Sequence, residues 1–167
     1  MLQLQAIERY RKLRAEFYKN LDAHFFAAHF LQVEAGPIED AHLWEVRAWQ
    51  SRRRHLEWLE LRRTYRKVPR RLELAVSVHG ELCGLALGKP SHGKTRLKAC
   101  YFEVKPGFDP DRKIAMVLMH AMTLWGDFLG SKEVWLARPE RRHWRITEGA
   151  ADHFSREKKT STPYFKV

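Results

Sequence analysis

The most constraining feature of the sequence lies between residues 96 and 136, which predict a strand, a helix and a second strand in succession. The first strand covers residues 97–104 and is followed by a Lys-Pro-Gly turn. The second covers residues 133–136. Between them, apolar residues recur at three- and four-residue steps, the pattern of a helix with one buried face: Ile114, Val117, Leu118, Ala121, Leu124, Trp125 and Phe128. Short connections of this kind indicate a βαβ unit, whose two strands lie parallel with a right-handed crossover.

Local signals place the ends of this helix. Asp109 is a favourable N-cap, and Pro110 suits the first helical position. Gly130 stands where a helix C-terminus favours glycine.

The remaining chain supplies more helices and an antiparallel hairpin. Residues 4–30 predict one long helix, residues 34–37 a break, and residues 38–67 a second helix. Residues 72–78 and 82–87 alternate as two strands joined by a tight turn. A short helix near residues 150–154 and a last strand at residues 163–167 complete the prediction. We expect one domain over residues 1–167, with a helical region at 1–67 and a sheet-containing core at 72–167.

The composition limits the classes of protein to which the chain can belong. No run of about 18 apolar residues occurs, so we expect no transmembrane helix and no membrane partner. The first residues lack the basic-then-apolar layout of a secretion signal. The two cysteines, Cys83 and Cys100, suit buried free thiols in a reducing compartment, so we expect a cytoplasmic protein.

The charge is strongly positive. Thirty-one Lys and Arg against 20 acidic residues give a net charge of +11, which attracts nucleic acid, an anionic cofactor or an acidic protein. Residues 47–71 contain ten of the basic residues and only two acidic ones, interleaved with Trp49, Trp58 and Tyr65. This segment has two interpretations: phosphate contacts with base stacking, or a solvated helix face whose aromatic residues pack inward.

The order of elements and one local pattern resemble the GNAT acyltransferase superfamily. The pattern is Phe-Glu-Val-Lys-Pro at residues 102–106, a loop, the apolar helix from residue 114, and Lys-Glu-Val-Trp-Leu at residues 132–136. It is similar to the core motif of that family, and the resemblance covers about residues 72–155. It implies an α/β fold with a mixed central sheet flanked by helices, here with an extended two-helix N-terminal region.

The resemblance also implies a cofactor and its site. Acetyl-CoA or another acyl-CoA would lie in a splay between the fourth and fifth strands, and no metal is expected. Phe102 and Val104 would offer backbone groups to the pantetheine arm. The pyrophosphate would sit at the start of the helix, which favours anions, facing Arg112, Lys113, Ile114 and Ala115.

The sequence departs from the family pattern at three points. Of the family's loop, which carries two glycine or small positions, only Ala115 matches within residues 110–115. Asp109 and Asp111 place carboxylates where the phosphates would bind. Ser155 stands where the family often has a tyrosine acting as general acid.

For an acyltransferase the resemblance implies direct attack of an amine on a thioester, which calls for a general base and a general acid. Glu103 is the candidate base, and strand alternation places it on one face with Ala99 and Tyr101, opposite Phe102 and Val104. The candidate acids are Ser155, Tyr164 and His153.

Two hypotheses of function follow. The first is an acyl-CoA-dependent N-acyltransferase acting on an amine of a macromolecular or polyanionic substrate, such as charged tRNA or an acidic protein. The alternative is a catalytically inactive GNAT-like binding module that contacts nucleic acid or an acidic protein through its basic N-terminal helix. Its contact residues would be Arg52, Arg53, Arg54, Arg62, Arg63 and Arg66. A homodimer is compatible with both.

Overall fold

A computed structural model describes residues 2–29, 32–52, 56–93, 95–108, 113–137 and 164–166. These residues form one six-stranded sheet with helices on both faces. The elements are, in chain order, α1 (Leu2–His29), β1 (Glu34–Gly36), α2 (Asp40–Ala48), α3 (Trp58–Tyr65), β2 (Leu72–Val78), β3 (Glu81–Pro90), β4 (Arg96–Val104), α4 (Lys113–Phe128), β5 (Glu133–Ala137) and β6 (Tyr164–Lys166). The predicted α/β fold with a mixed central sheet is confirmed.

The strands follow one another across the sheet in chain order, from β1 to β6. Neighbouring strands are antiparallel, except for β4 and β5, which α4 joins in parallel. This confirms the predicted βαβ unit. The strand expected near the end of the chain is β6, whereas the helix expected near residues 150–154 lies outside the described residues.

The two predicted turns have the backbone geometry that their residues favour. His79 and Gly80 both have positive φ angles, 51° and 76°, which matches the tight hairpin turn between β2 and β3. Gly130 has a φ of 73°, and Ser131 N–H donates to the Gly126 carbonyl at 2.9 Å. That hydrogen bond closes α4 in a Schellman motif. The predicted cap at Asp109 and Pro110 lies outside the described residues.

The single helix predicted for residues 38–67 is wrong, because the chain forms α2 and α3 with a break between them. Trp49 and Trp58 are both buried in the same apolar cluster against the sheet. Nine residues of continuous helix would turn their side chains to opposite faces, since each residue adds about 100°. The break brings both indoles to the same side, and Ser51 adopts a left-handed φ of 55° within it.

The break predicted at residues 34–37 is in fact β1. It pairs antiparallel with β2 from Glu34 to Gly36 and forms the edge of the sheet. Three residues give too short a pattern for alternation to be recognised in the sequence.

Two apolar clusters lie on opposite faces of the sheet. On one face α1 and α4 pack together, and Trp125 of α4 stacks on Phe128 and meets the edge of Phe17 from α1. On the other face α2 and α3 bury Leu43, Val46, Trp58 and Tyr65 against β3, among other residues. Among the described helices, none combines the length and the apolar character needed to cross a bilayer.

Polar contacts fix α1 along β2. Arg14 Nη1 donates to the Pro69 carbonyl at 2.6 Å, and the Tyr18 hydroxyl donates to the Glu73 carbonyl. Burial is the main cause that raises the pKa of Tyr18, which therefore stays neutral and keeps its donor.

Candidate functional site

A β-bulge interrupts β4 at its centre. Leu87 pairs with Tyr101, but the next residue of β3, Gly88, pairs with Ala99, so Cys100 is an extra residue. Such a bulge redirects the side chains that follow it. Ala99 therefore shares a face with Phe102 and Val104, against α1 and α4.

Because of this bulge, the alternation predicted for residues 99–104 is wrong. Glu103 lies on the opposite face of the sheet from Ala99, together with Tyr101 and next to α3. Simple alternation places Ala99 and Glu103 on the same side, because it does not include the extra residue. Bulges are frequent beside active sites, where they aim a side chain or end strand pairing.

Directly after the bulge, the pairing of β4 with β5 ends within the described residues. Their parallel pairing runs from the pair Arg96 and Glu133 to the pair Ala99 and Leu136. β4 continues to Val104, whereas the described part of β5 reaches Ala137. Residues 101–104 therefore have no β5 partner in the described part of the chain. They are nevertheless buried or half-buried. Backbone groups in such a position favour a hydrogen-bonding ligand.

The N-terminus of α4 lies at the end of the loop that follows β4. The first described turn of α4 carries no acidic residue, and the Lys113 side chain is exposed. Ile114 is 2% exposed, and its side chain packs against Gly84, where an added Cβ would lie 2.8 Å from its Cγ2. Ile114 can therefore offer a ligand only its backbone, and Ala115 is half-buried behind it.

The positive end of the α4 dipole and the Lys113 ammonium favour an anion at this position. The end of the described pairing between β4 and β5 and the helix start together fit an acyl-CoA, whose pantetheine arm is narrow and whose pyrophosphate is anionic. Phe102 and Val104, which were predicted to offer backbone groups to the pantetheine arm, are half-buried on the face that α4 covers. Arg112, like the acidic pair at positions 109 and 111, lies outside the described residues.

Glu103 is held in a buried cluster with Arg52 and Trp58. Arg52 Nε donates to Oε1 at 2.7 Å and Arg52 Nη2 to Oε2 at 2.8 Å, while Trp58 Nε1 donates to Oε2 at 2.6 Å. The side chains of the ion pair are each 7% exposed. The hydrogen bond from Arg52 to the carboxylate is the main cause that raises the pKa of Arg52.

This geometry argues against the predicted role of Glu103 as general base. Both of its oxygens already accept hydrogen bonds, and its carboxylate balances a guanidinium that would otherwise be buried without a partner. Glu103 instead fixes the segment between α2 and α3, because Arg52 also donates to the Leu56 carbonyl at 2.8 Å. The role of positioning residue suits Glu103 better than that of base.

The side chains of the three candidate acids are not among those that the structure describes. Ser155 and His153 lie outside the described residues. Tyr164 begins β6, where it pairs with Ala137, and its side chain is not described.

The sequence did not indicate the aromatic cluster beside the bulge. Tyr65 of α3 meets the ring of Tyr101 edge-on, with centroids 5.9 Å apart. Lys89 Nζ lies 5.0 Å from the Tyr65 centroid. Burial, followed by a hydrogen bond with Cys100, raises the pKa of Tyr65, and burial raises the pKa of Cys100. Tyr101 and Glu103 thus form, with α3, one wall on the face of the bulge opposite α4.

The arginines predicted to bind nucleic acid are not equivalent. Arg52 is buried in its ion pair, so its assignment as a phosphate contact is wrong. Arg62 Nη1 bonds to Asp40 at 2.6 Å, and Arg63 Nη2 lies 3.4 Å from Glu60. Arg66 is exposed, whereas Arg53 and Arg54 lie outside the described residues.

Comparisons with solved structures agree with this architecture. A ribosomal-protein alanine N-acetyltransferase from Escherichia coli matches with a TM-score of 0.57 and 13% identity, over 80% of this chain and 89% of that one. A chimeric spermidine N-acetyltransferase from Vibrio cholerae gives 0.58 and 12%, over 81% and 92%. An N-acetyltransferase from Thermoplasma acidophilum, in complex with coenzyme A, gives 0.50 and 13%, over 81% and 98%.

No protein-family model and no curated protein sequence matches the chain. At identities of 12 to 13% the structural matches establish the fold and not the activity. The chain has the GNAT fold, as its sequence pattern predicted.

Proposed function

We propose that this protein is an acyl-CoA-dependent N-acyltransferase, with acetyl as the transferred group and an amine on a macromolecular or polyanionic substrate as the acceptor. The observation that carries the proposal is that the described pairing of β4 with β5 ends directly after the Cys100 bulge, beside the start of α4. It leaves buried or half-buried backbone groups without a strand partner in the described residues, next to a helix terminus that favours an anion.

Each part of the proposed site has one task. The backbone of residues 102–104 binds the pantetheine arm as an added strand would, and the start of α4 with Lys113 binds the pyrophosphate. Bound acyl-CoA supplies a thioester that an amine can attack. Glu103, Arg52 and Trp58 hold the segment between α2 and α3 against β4, so that the wall opposite α4 keeps its shape during the reaction. The charge of +11 favours an acidic acceptor.

Calorimetry with acetyl-CoA and with free CoA tests cofactor binding. Lys113→Glu should weaken binding by about 5- to 30-fold, since a charge-assisted contact to phosphate contributes roughly 1–2 kcal/mol. Lys132→Glu is the matched control, because this exposed lysine follows the opposite end of α4. Equal affinities of the two variants would contradict the pyrophosphate position. Absence of binding at millimolar acetyl-CoA would reject the cofactor and favour the binding-module hypothesis.

Release of free CoA with a panel of amines tests the transfer step. The panel contains a small polyamine, a neutral peptide and an acidic peptide. The two peptides have equal length, and each has one free α-amine. We expect kcat/KM to be highest for the acidic peptide and to fall as salt rises, because exposed charges are screened. A preference for the polyamine would reject the polyanionic acceptor while leaving acyl transfer intact.

Glu103→Gln distinguishes a positioning residue from a general base. Removing a general base lowers kcat by about 10²- to 10⁴-fold and abolishes the corresponding limb of the pH profile. We expect a rise in KM for the acceptor, because the buried Arg52 loses its counter-charge and holds the segment between α2 and α3 less firmly. The loss in kcat should be smaller and the pH profile unchanged, because no proton transfer is removed. A large loss of kcat together with a changed pH profile would restore Glu103 as the base.

A further inference from the structure

Four cations lie on or beside the segment that joins α3 to β2, residues 66–71. Arg66, Lys67 and Arg70 belong to this segment, and Arg9 belongs to the neighbouring turn of α1. The Arg70 guanidinium lies 5.1 Å and the Arg9 guanidinium 6.0 Å from the centroid of the Tyr10 ring. One ring thus joins the two elements, and the four cations form what we call the α1–α3 cationic surface.

These cations are not neutralised locally. Among the described residues, no carboxylate forms an ion pair with Arg9, Arg66, Lys67 or Arg70. Arg9, Arg66 and Lys67 are exposed and Arg70 is half-buried, and several exposed cations elsewhere differ from them in this respect. Arg11, Lys19 and Arg63, for example, are each paired with a glutamate one helical turn away.

Two further guanidinium groups lie beneath this surface. Arg14 is 5% exposed and Arg71 is 7% exposed. One buried carboxylate accompanies them, that of Glu73, 3.5 Å from Arg71 Nη2. Burial is the main cause that lowers the pKa of Arg14, but a guanidinium stays charged at neutral pH. The buried layer therefore adds positive potential, and water screens buried charges less than exposed ones.

The buried groups also hold the segment in one conformation. Arg71 Nη1 donates to the carbonyls of Arg66, at 3.0 Å, and Val68, at 3.3 Å. Arg14 binds the Pro69 carbonyl, and Trp125 Nε1 donates to the Arg70 carbonyl at 3.1 Å. A ligand of this surface would thus meet a backbone that needs little ordering, which favours affinity.

From this arrangement we infer that the α1–α3 cationic surface binds the phosphate backbone of a nucleic acid. Three of its four cations are arginines, whose planar guanidinium groups suit phosphate oxygens. Interfaces between proteins have an apolar centre, whereas nucleic-acid affinity comes largely from neutralised phosphates. Among the exposed large apolar side chains of the described residues, Leu4 lines one pocket with Arg9, whereas Trp44, Leu59, Met116 and Phe128 lie on α2, α3 and α4.

Binding at this surface does not depend on acyl transfer. It lies at a different place from the nucleic-acid contact predicted from the sequence. Of the residues first assigned to it, only Arg66 belongs to the α1–α3 cationic surface. Arg52 lies instead in the buried ion pair with Glu103. The contact therefore involves α1 and the segment before β2 rather than an arginine-rich face of one long helix.

Fluorescence anisotropy with a labelled single-stranded RNA and an RNA duplex, each about 20 nucleotides long, tests the inference over a series of salt concentrations. The variant replaces Arg66, Lys67 and Arg70 by glutamine. The matched control replaces Lys19, Arg47 and Lys132, which are exposed cations outside this surface, so that both variants lose three charges.

The first variant should bind at least about tenfold more weakly at 0.1 M salt. Its slope of log K against log salt on the single strand should be smaller by about two units, at roughly 0.7 for each of three lost contacts. The control should change the slope by less than one unit. Equal losses in the two variants would overturn the inference, because net charge alone would then explain binding. Tighter binding of a glutamate-rich peptide of equal charge would identify an acidic protein as the partner and overturn it as well.

A second measurement uses the unaltered protein and so does not depend on the folding of a variant. A single-stranded RNA containing 4-thiouridine is photo-crosslinked to the protein, and the crosslinked peptides are identified by mass spectrometry. Crosslinks within residues 9–12 and 66–71 support the inference. Crosslinks confined to other segments, or none at a concentration that saturates binding, reject it.

Discussion

The ion pair between Arg52 and Glu103 allows a quantitative test of how the segment between α2 and α3 is held. Arg52→Met removes the guanidinium and leaves a carboxylate that is 7% exposed, with Trp58 Nε1 as its remaining donor. Removing one partner of a buried ion pair costs about 3–5 kcal/mol, mainly because the other charge stays buried without compensation. The hydrogen bond to the Leu56 carbonyl contributes to that loss. We expect the free energy of unfolding to fall by about 3–5 kcal/mol.

Urea denaturation of four proteins measures this effect: the unaltered chain, Arg52→Met, Glu103→Gln and the double variant. The double variant has no buried charge at this position, and its amide oxygen still accepts from the Trp58 indole. It should therefore be more stable than Arg52→Met by about 1–3 kcal/mol. Arg63→Met is a control, since the side chains of its ion pair with Glu60 are 78% and 60% exposed and such pairs contribute at most about 1 kcal/mol.

Two results would refute this reasoning. A loss of less than about 1 kcal/mol in Arg52→Met would show that the carboxylate is solvated or protonated at little cost. A double variant as unstable as the sum of the two single variants would show that the charges are not coupled. Either result would show that Glu103 does not act as a positioning residue.

Three more predictions concern the packing around the site. Gly88→Ala should destabilise the fold by about 1–3 kcal/mol in urea denaturation, because the added Cβ would lie 2.6 Å from Met122 Sδ. Gly36→Ala is the control and should cost less than about 1 kcal/mol, because no atom lies within 4 Å of its added Cβ. Burial raises the pKa of Cys83 from 9.0 to about 11, so the stability that the protonated thiol contributes is complete below about pH 9 and is lost as the pH rises towards 11. The free energy of unfolding should fall by at most about 1.4 kcal/mol per pH unit in this range, and Cys83→Ala should lack this fall. Trp58→Phe should lower the free energy of unfolding by about 1.5–3 kcal/mol, because the buried carboxylate loses a donor at 2.6 Å, and no change in the urea midpoint would contradict that contact.

The sequence predicted those parts of the fold whose pattern is long and periodic. The apolar period of α4, the glycine that ends it and the alternation of β2 and β3 all depend on residues close together in the chain. The three-residue β1 and the division between α2 and α3 depend instead on pairing and packing with distant elements. Trp49 and Trp58 required a break in the helix because both pack on one sheet face, which no local propensity records.

The ends of the elements that carry the candidate site could be predicted from the sequence, but its contacts could not. The pattern of strand, loop and helix predicted Phe102 and Val104 at the end of β4 and Lys113 close to the start of α4, where the described residues have them. The partners of Glu103 come from 45 and 51 residues earlier in the chain. Residue pattern alone cannot identify contacts over such separations.

The bulge at Cys100 divides β4 into two parts with different surroundings. Before it, β4 is an ordinary central strand, paired on both sides and covered by α4. After it, the same strand has lost its β5 partner in the described residues and has turned Glu103 towards α3. A strand that loses pairing on one side is held less firmly, and the ion pair with Arg52 supplies a replacement anchor on its other face. The buried ion pair is therefore best explained as support for the part of β4 that has no β5 partner in the described residues.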